Sequence, residues 1–126
     1  MKTGPIGRLR WIQIDTQDPE PLAAFWCEVL GTEIDDRLDD PPHYINLKSA
    51  ESGGPHVSFQ RVPEPKAGKN RLHFDLLVDD VDEACARVEA LGGRRVGKRD
   101  FHEYGYSWRV MADPQGNEFC LIYGVA

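Results

Sequence analysis

Arg10-Trp11-Ile12-Gln13-Ile14-Asp15-Thr16-Gln17-Asp18 and Leu72-His73-Phe74-Asp75-Leu76-Leu77-Val78-Asp79-Asp80 decide the fold, because they are one plan written twice, 62 positions apart. Each stretch alternates like a strand and ends on an Asp placed to cap a helix. Each is followed by an amphipathic run that closes on Leu-Gly, at Leu30-Gly31 and Leu91-Gly92. In the first copy Leu9, Trp11, Gln13 and Asp15 share one face, while Ile12 and Ile14 mark the opposite, core face. In the second, Phe74, Leu76 and Val78 form the core face and His73, Asp75 and Leu77 the other.

The helices follow from the same text. Asp18-Pro19 offers a cap followed by Pro at the first helical position, and Leu22, Phe25, Trp26, Val29 and Leu30 fall at helical spacing before Gly31. This stripe makes Trp26 a core residue. Asp80 with Glu83 makes a capping-box pattern, and Val81, Ala84, Cys85, Val88 and Leu91 supply the buried stripe of the second helix. Residues 32–42 are acidic and contain proline, a loop or edge segment. Strands are expected at 43–48 and 55–61, joined through Ser52-Gly53-Gly54, and then near 95–99, 106–112 and 118–123. The proline-rich stretch 62–69 is a linker, and His102 and Tyr104 fall in a Gly-bearing loop. These elements make one α+β domain of tandem βαβββ modules, about 6–62 and 69–126. Neither module alone buries much surface, so the halves are expected to fold together or to pair across a dimer.

Composition removes several classes of function. The 126 residues suit a single domain, and 40% hydrophobic with 29% charged residues is ordinary globular composition. A net charge of −6 argues against nucleic acid, which is bound by neutralising phosphates, though an acidic surface tolerates cationic compounds. No apolar run is long enough for a membrane helix, and Met1-Lys2-Thr3-Gly4-Pro5 lacks the apolar core of a secretion signal. A cytoplasmic location is therefore expected. Cys27, Cys85 and Cys120 are odd in number and widely spaced, which reads as free, mostly buried thiols rather than a disulfide framework.

The doubled βαβββ plan, the Asp18-to-Gly31 segment and the turn Asp113-Pro114-Gln115-Gly116-Asn117 before the last strand resemble the vicinal oxygen chelate superfamily. This is the group of glyoxalases, bleomycin-resistance proteins and extradiol dioxygenases, and within it the chain is most similar to the small glyoxalase-like domains. The resemblance implies a curved, incompletely closed mixed sheet around a cleft, with helices outside and frequent dimerisation. Open sheet edges also favour a homodimer. Because the scaffold hosts lyases, dioxygenases, thiol transferases and plain binders, its activity does not follow from the fold.

The resemblance also implies where a metal would sit, with ligands on the first and last strands of each module. Those positions are Trp11, Ser58 or Gln60, His73 and Cys120. Trp11 has no donor, and Cys120 stands where a Glu is expected. Divalent metals used for Lewis-acid work on this fold want three or four nitrogen or oxygen ligands with open positions. The expectation is therefore a degenerate metal site and no cofactor. A Zn²⁺ ion on His73 and Cys120 is the lesser alternative, if Gln13, Asp75 or Glu118 joined them.

Other roles are weighed residue by residue. His73 beside Asp75 could orient a ligand or move a proton, against a buried histidine bonded across the sheet. Trp11 and Trp108 could wall a pocket for a planar or cationic ligand, or fill space left by a metal. Cys120 could be a nucleophile beside His73, against an inert buried thiol. Lys69-Asn70-Arg71 could grip an anion or simply lead into the strand. His102 and Tyr104 could form a lid or an ordinary exposed loop.

Three functions fit. One is a metal-independent binder of a small organic molecule, using Trp11, Gln13, Ser58, Gln60, His73, Trp108 and Cys120. Another is a glyoxalase-like lyase or related enzyme with His73 and Asp75 as catalytic residues. The last is a structural domain with a vestigial cleft.

Overall fold

The computed structural model describes residues 4–5 and 7–124; Met1, Lys2 and Thr3, part of the stretch read for a secretion signal, lie outside it. The chain divides into two compact units, Met1–Glu64 and Pro65–Ala126. Each is α+β, as expected. Among the described residues no helix is long and apolar enough to cross a membrane.

Unit 1 runs β1 (Trp11–Thr16), α1 (Pro19–Leu30), β2 (Ile34–Leu38), β3 (Tyr44–Leu47) and β4 (His56–Arg61). Its sheet has the order β1-β4-β3-β2, with β1 parallel to β4 and the other pairs antiparallel. The acidic segment 32–42 thus contains an edge strand. α1 packs on β3 and β4 through Leu22, Ala23, Phe25 and Trp26, against a sheet face that includes the fully buried Ile45 and Phe59. The Phe25 and Trp26 rings meet edge to face at 5.3 Å. Asp18 holds the N-cap position with extended backbone but makes no side-chain cap bond; Pro19 starts the helix instead. Gly31 ends it at φ 66°, the left-handed conformation that favours glycine, and donates its N–H to the Cys27 carbonyl.

Unit 2 runs β5 (Asp75–Leu77), α2 (Val81–Ala90), β6 (Arg94–Arg95), β7 (Phe101–Glu103), β8 (Tyr106–Ala112) and β9 (Glu118–Tyr123). The sheet order is β5-β9-β8-β6, β5 is parallel to β9, and β7 adds to β8. Here Asp80 does cap its helix, accepting from the Glu83 N–H at 3.0 Å. Leu91, expected in the buried stripe, is exposed instead, because the helix ends at Ala90 and leaves it in the cap. The expected strand at 95–99 is only Arg94–Arg95, and the expected loop around His102 is a short strand in a hairpin with β8. The turn before β9 explains its own sequence. The Asp113 carboxylate accepts from the backbone N–H groups of Gln115 and Asn117, each at 2.9 Å, and Gly116 supplies the positive φ of 86°.

A polar cluster gathers around the buried Arg109 on the helix side of this sheet. Arg109 donates to Asp100 at 2.8 and 3.0 Å and lies 3.1 Å from Asp82 of α2. Asp100 also accepts from Arg95 at 2.7 Å and from the Tyr123 hydroxyl at 2.5 Å. The hydrogen bonds from Arg109, then that from Tyr123, hold the Asp100 carboxyl down at about 2. A carboxyl depressed on folding stabilises the protein above its unfolded pKa and loses that contribution as pH falls through its folded one. Urea unfolding followed against pH should therefore show about 2 kcal/mol of stability lost between about pH 4 and 2. Asp100→Asn should remove this acid step and cost roughly 3 kcal/mol near neutral pH, since Arg109 stays buried with a weakened set of partners. An unchanged acid step in the variant would contradict the assignment.

Candidate functional site

The cavity of unit 2 follows from register. Residues opposite each other on neighbouring strands share a face. Asp75 pairs with Cys120 and Leu77 with Ile122; across β9, Cys120 pairs with Val110 and Ile122 with Trp108; across β8, Trp108 pairs with Phe101 and Tyr106 with Glu103. All of these side chains therefore project from the face opposite α2. They bound a cavity of about 900 Å³, with Lys69, His73, Tyr104, Glu118 and Phe119 completing its lining. That volume lies within the range of small-molecule sites. The Phe101 and Trp108 rings stack at 5.6 Å with planes 16° apart, making one aromatic wall.

One end of the cavity is polar. His73 Nε2 lies 3.3 Å from Asp75 Oδ1, with both side chains about half exposed, so His73 is not the buried histidine of the alternative reading. The Cys120 thiol, 8% exposed, lies within 4.8 Å of the Asp75 carboxylate. Burial pushes that thiol up to about 11, with the Asp75 carboxylate adding to the rise. At neutral pH it is a protonated thiol and a poor nucleophile, which agrees with an inert role in covalent chemistry. Lys69 is 3.6 Å from Glu118, and Asn70 donates to the Glu118 carbonyl at 3.2 Å. All three cysteines are free.

Trp11, Gln13, Ser58 and Gln60 also share one sheet face, in unit 1, since Gln13 pairs with Ser58 and Asp15 with Gln60. Trp11 is 54% exposed there, with the Arg10 guanidinium 5.6 Å from its ring centre. Ser58 is fully buried, and its hydroxyl faces the Ile45 carbonyl at 3.2 Å and Asn46 Oδ1 at 2.5 Å. Asn46 in turn donates to Asp36 at 2.7 Å. His73, Asp75, Trp108 and Cys120 meet in the unit 2 cavity.

A metal on the donor set implied by the resemblance does not fit these residues, because Trp11 offers no donor and the Ser58 hydroxyl is held in an internal network. A different set does converge: one ligating atom each from His73, Asp75 and Cys120, all within 4.8 Å of one another. Asp75 joins it because β5 and β9 place it directly opposite Cys120. The sequence reading missed Leu77, Phe101, Tyr106 and Glu103 as lining residues. Leu77 lay on the face already assigned to His73 and Asp75. The alternation Phe101, Glu103, then Tyr106, Trp108 around Tyr104-Gly105 was the signal for the others, with both turn residues at positive φ.

Comparison with known proteins agrees with this layout. The chain matches the family model described as Glyoxalase-like domain over residues 11–122. The protein CFP32 of Mycobacterium bovis and Mycobacterium tuberculosis, which carries a provisional glyoxylase name, is 31% identical over 120 residues. The match takes in 92% of this chain and 44% of CFP32, so the chain spans less than half the length of these curated relatives. A glyoxalase/bleomycin resistance protein/dioxygenase family enzyme from Burkholderia phytofirmans superposes with a TM-score of 0.71 at 20% identity, covering 94% of this chain and 99% of that one. A glyoxalase family protein from Bacillus cereus gives 0.71 at 16% identity, covering 100% and 99%. At such identities the likeness is one of fold.

The state of Cys120 can be read directly. Alkylation with peptide mapping should leave Cys120 unmodified near neutral pH, with labelling rising as pH approaches about 11. Modification at neutral pH as fast as that of an unhindered thiol would contradict the buried, carboxylate-flanked setting.

Proposed function

Because the chain belongs to the glyoxalase-like domain family of the vicinal oxygen chelate superfamily, we propose that it is a small-molecule binder. Its ligand is held by the walls of the unit 2 cavity rather than by the metal set that the superfamily resemblance implies. The supporting observation is the cavity itself, about 900 Å³ and walled by Leu77, Val110, Ile122, Phe101, Tyr106 and Trp108. Apolar walls with a few polar groups at one end suit a largely apolar ligand oriented by a polar end. The stacked Phe101 and Trp108 suit a planar one. Among the lining residues the carboxylates Asp75, Glu103 and Glu118 outnumber Lys69, so a neutral or cationic ligand is preferred over an anion.

The alternative is an enzyme of the same superfamily using His73 and Asp75 for proton transfer. It is favoured by one observation, the 3.3 Å pair at the polar end of the cavity. A general acid or base has to lie within hydrogen-bond reach of the proton it moves, and His73 and Asp75 support this reading by lining the cavity that a ligand would enter. The expected homodimer belongs with either reading, supported by the open edges of the two sheets. Sedimentation equilibrium tests it, and a monomer at all concentrations would end it.

A thermal-shift screen of planar neutral and cationic compounds on chelator-treated protein tests the binding reading. A true ligand at a hundredfold excess over its Kd should stabilise the protein by about 2.7 kcal/mol. Trp108→Ala should then weaken binding by about 2 kcal/mol, or roughly thirtyfold. Binding that ignores Trp108→Ala would place the ligand elsewhere. Turnover of a bound compound that is lost in His73→Ala, while its binding is retained, would move the assignment to the enzyme.

A further inference from the structure

The β7–β8 hairpin turns through two residues, Tyr104 and Gly105, because Glu103 pairs with Tyr106. Both turn residues have positive φ, 53° and 78°. That is the type I′ arrangement, whose first central position favours Asn, Asp or Gly, since bulky side chains are strained in the left-handed region. Gly105 suits its position and Tyr104 does not. A strained residue persists where some other demand keeps it there. Packing does not offset the strain, because Tyr104 is 89% exposed. Its ring stands at the rim of the unit 2 cavity and forms part of the lining.

The rest of the hairpin points to what this ring meets. Phe101, Glu103, Tyr106 and Trp108 share the cavity face by register, whereas His102 lies on the other face, its Nδ1 2.7 Å from the Ser107 hydroxyl. One hairpin thus brings four aromatic rings and a carboxylate to the cavity. Of the lining carboxylates, Asp75 has His73 at 3.3 Å and Glu118 has Lys69 at 3.6 Å. Glu103 has no ion pair among the described residues. A cation is drawn to aromatic faces and to a free carboxylate alike, and a flat one also stacks on the rings.

We infer that Tyr104 is a specificity residue, kept at the hairpin tip so that its ring, beside Glu103, contacts a planar aromatic cation held in the cavity. This role rests on the binding reading and narrows its ligand to one class. It belongs to the hairpin end of the cavity, and neither His73, Asp75 nor Cys120 enters it. Two effects of opposite sign are then expected at one position. Replacing Tyr104 by a residue that the turn prefers stabilises the empty protein and weakens its hold on the cation.

The test titrates the whole chain with 1-methylquinolinium, a planar aromatic cation, and with 1-methylnaphthalene, its uncharged isostere, followed by fluorescence. Tyr104→Asn should raise the Tm of the ligand-free protein by about 3 °C. It should also weaken the cation about fivefold, and the isostere less. Tyr104→Phe keeps the ring and the strain, so Tm and affinity should both stay near their native values. Glu103→Gln should weaken the cation about threefold at low salt and leave the isostere unchanged. The inference is overturned if the cation does not bind, if Tyr104→Asn leaves Tm or cation affinity unchanged, or if both variants weaken the isostere as much as the cation. Cation binding that is lost in Trp108→Ala but intact in Tyr104→Asn would uphold the binding reading and end this one. Loss of self-association in Tyr104→Asn, with affinity unchanged, would assign the ring to a contact between copies and also overturn it.

Discussion

The parallel pairing of the first and last strands of each unit is the constraint on which the rest depends. A parallel pair cannot be closed by a tight turn; it needs a long crossover, and here a helix and the intervening strands supply it. In unit 2 that pairing sets Asp75 directly opposite Cys120 and Leu77 opposite Ile122, residues that are remote in sequence. One face of β5 is thereby committed to the helix side and the other to the cavity, with His73 just ahead of it. The polar end of the cavity comes back to that register.

Both units use the same plan, yet they spend their second sheet face differently. In unit 1 that face carries a polar network in which Ser58 contacts Asn46 and Asn46 donates to Asp36, so the hydroxyl is satisfied internally. In unit 2 the corresponding face is apolar and aromatic, and it bounds open volume. The charged network of unit 2 lies on the opposite side, where Asp100 accepts from Arg109, Arg95 and Tyr123 behind the sheet, with Arg95 Nε left without a partner among the described residues. Buried charges left unpaired would be costly, and the pairing of Arg109 and Arg95 with Asp100 keeps them on one side. The cavity keeps only a short polar end, which is what lets a few groups there dominate recognition.

Cys120 shows how one residue can read differently in different company. As a free thiol it is buried, flanked by a carboxylate and poorly reactive. The same carboxylate, with His73, gives a cation three donors of suitable type. Neighbours that discourage ionisation of a lone thiol are thus the ones that would favour it once a metal supplies positive charge.

The sequence by itself determined the doubled plan, both helices, the free cysteines and the faces of β1 and β5. Those follow from periodicity, caps and glycine stops, which act between residues close in the chain. Asp80 behaved as its local pattern required, whereas Asp18 kept the cap position without the cap bond; the N3 residue there is Pro21, which has no N–H to donate. The short strand β7 was hard to read by itself, since three residues are too few for alternation to stand out from a loop; only its pairing with the alternation of β8 across Tyr104-Gly105 marks it. The union of His73, Asp75 and Cys120, and the aromatic wall of Phe101 and Trp108, were decided only by tertiary structure. Their physical cause is strand register, which is fixed by pairing between distant segments and by which face a helix covers, and neither is written in any local stretch of the chain.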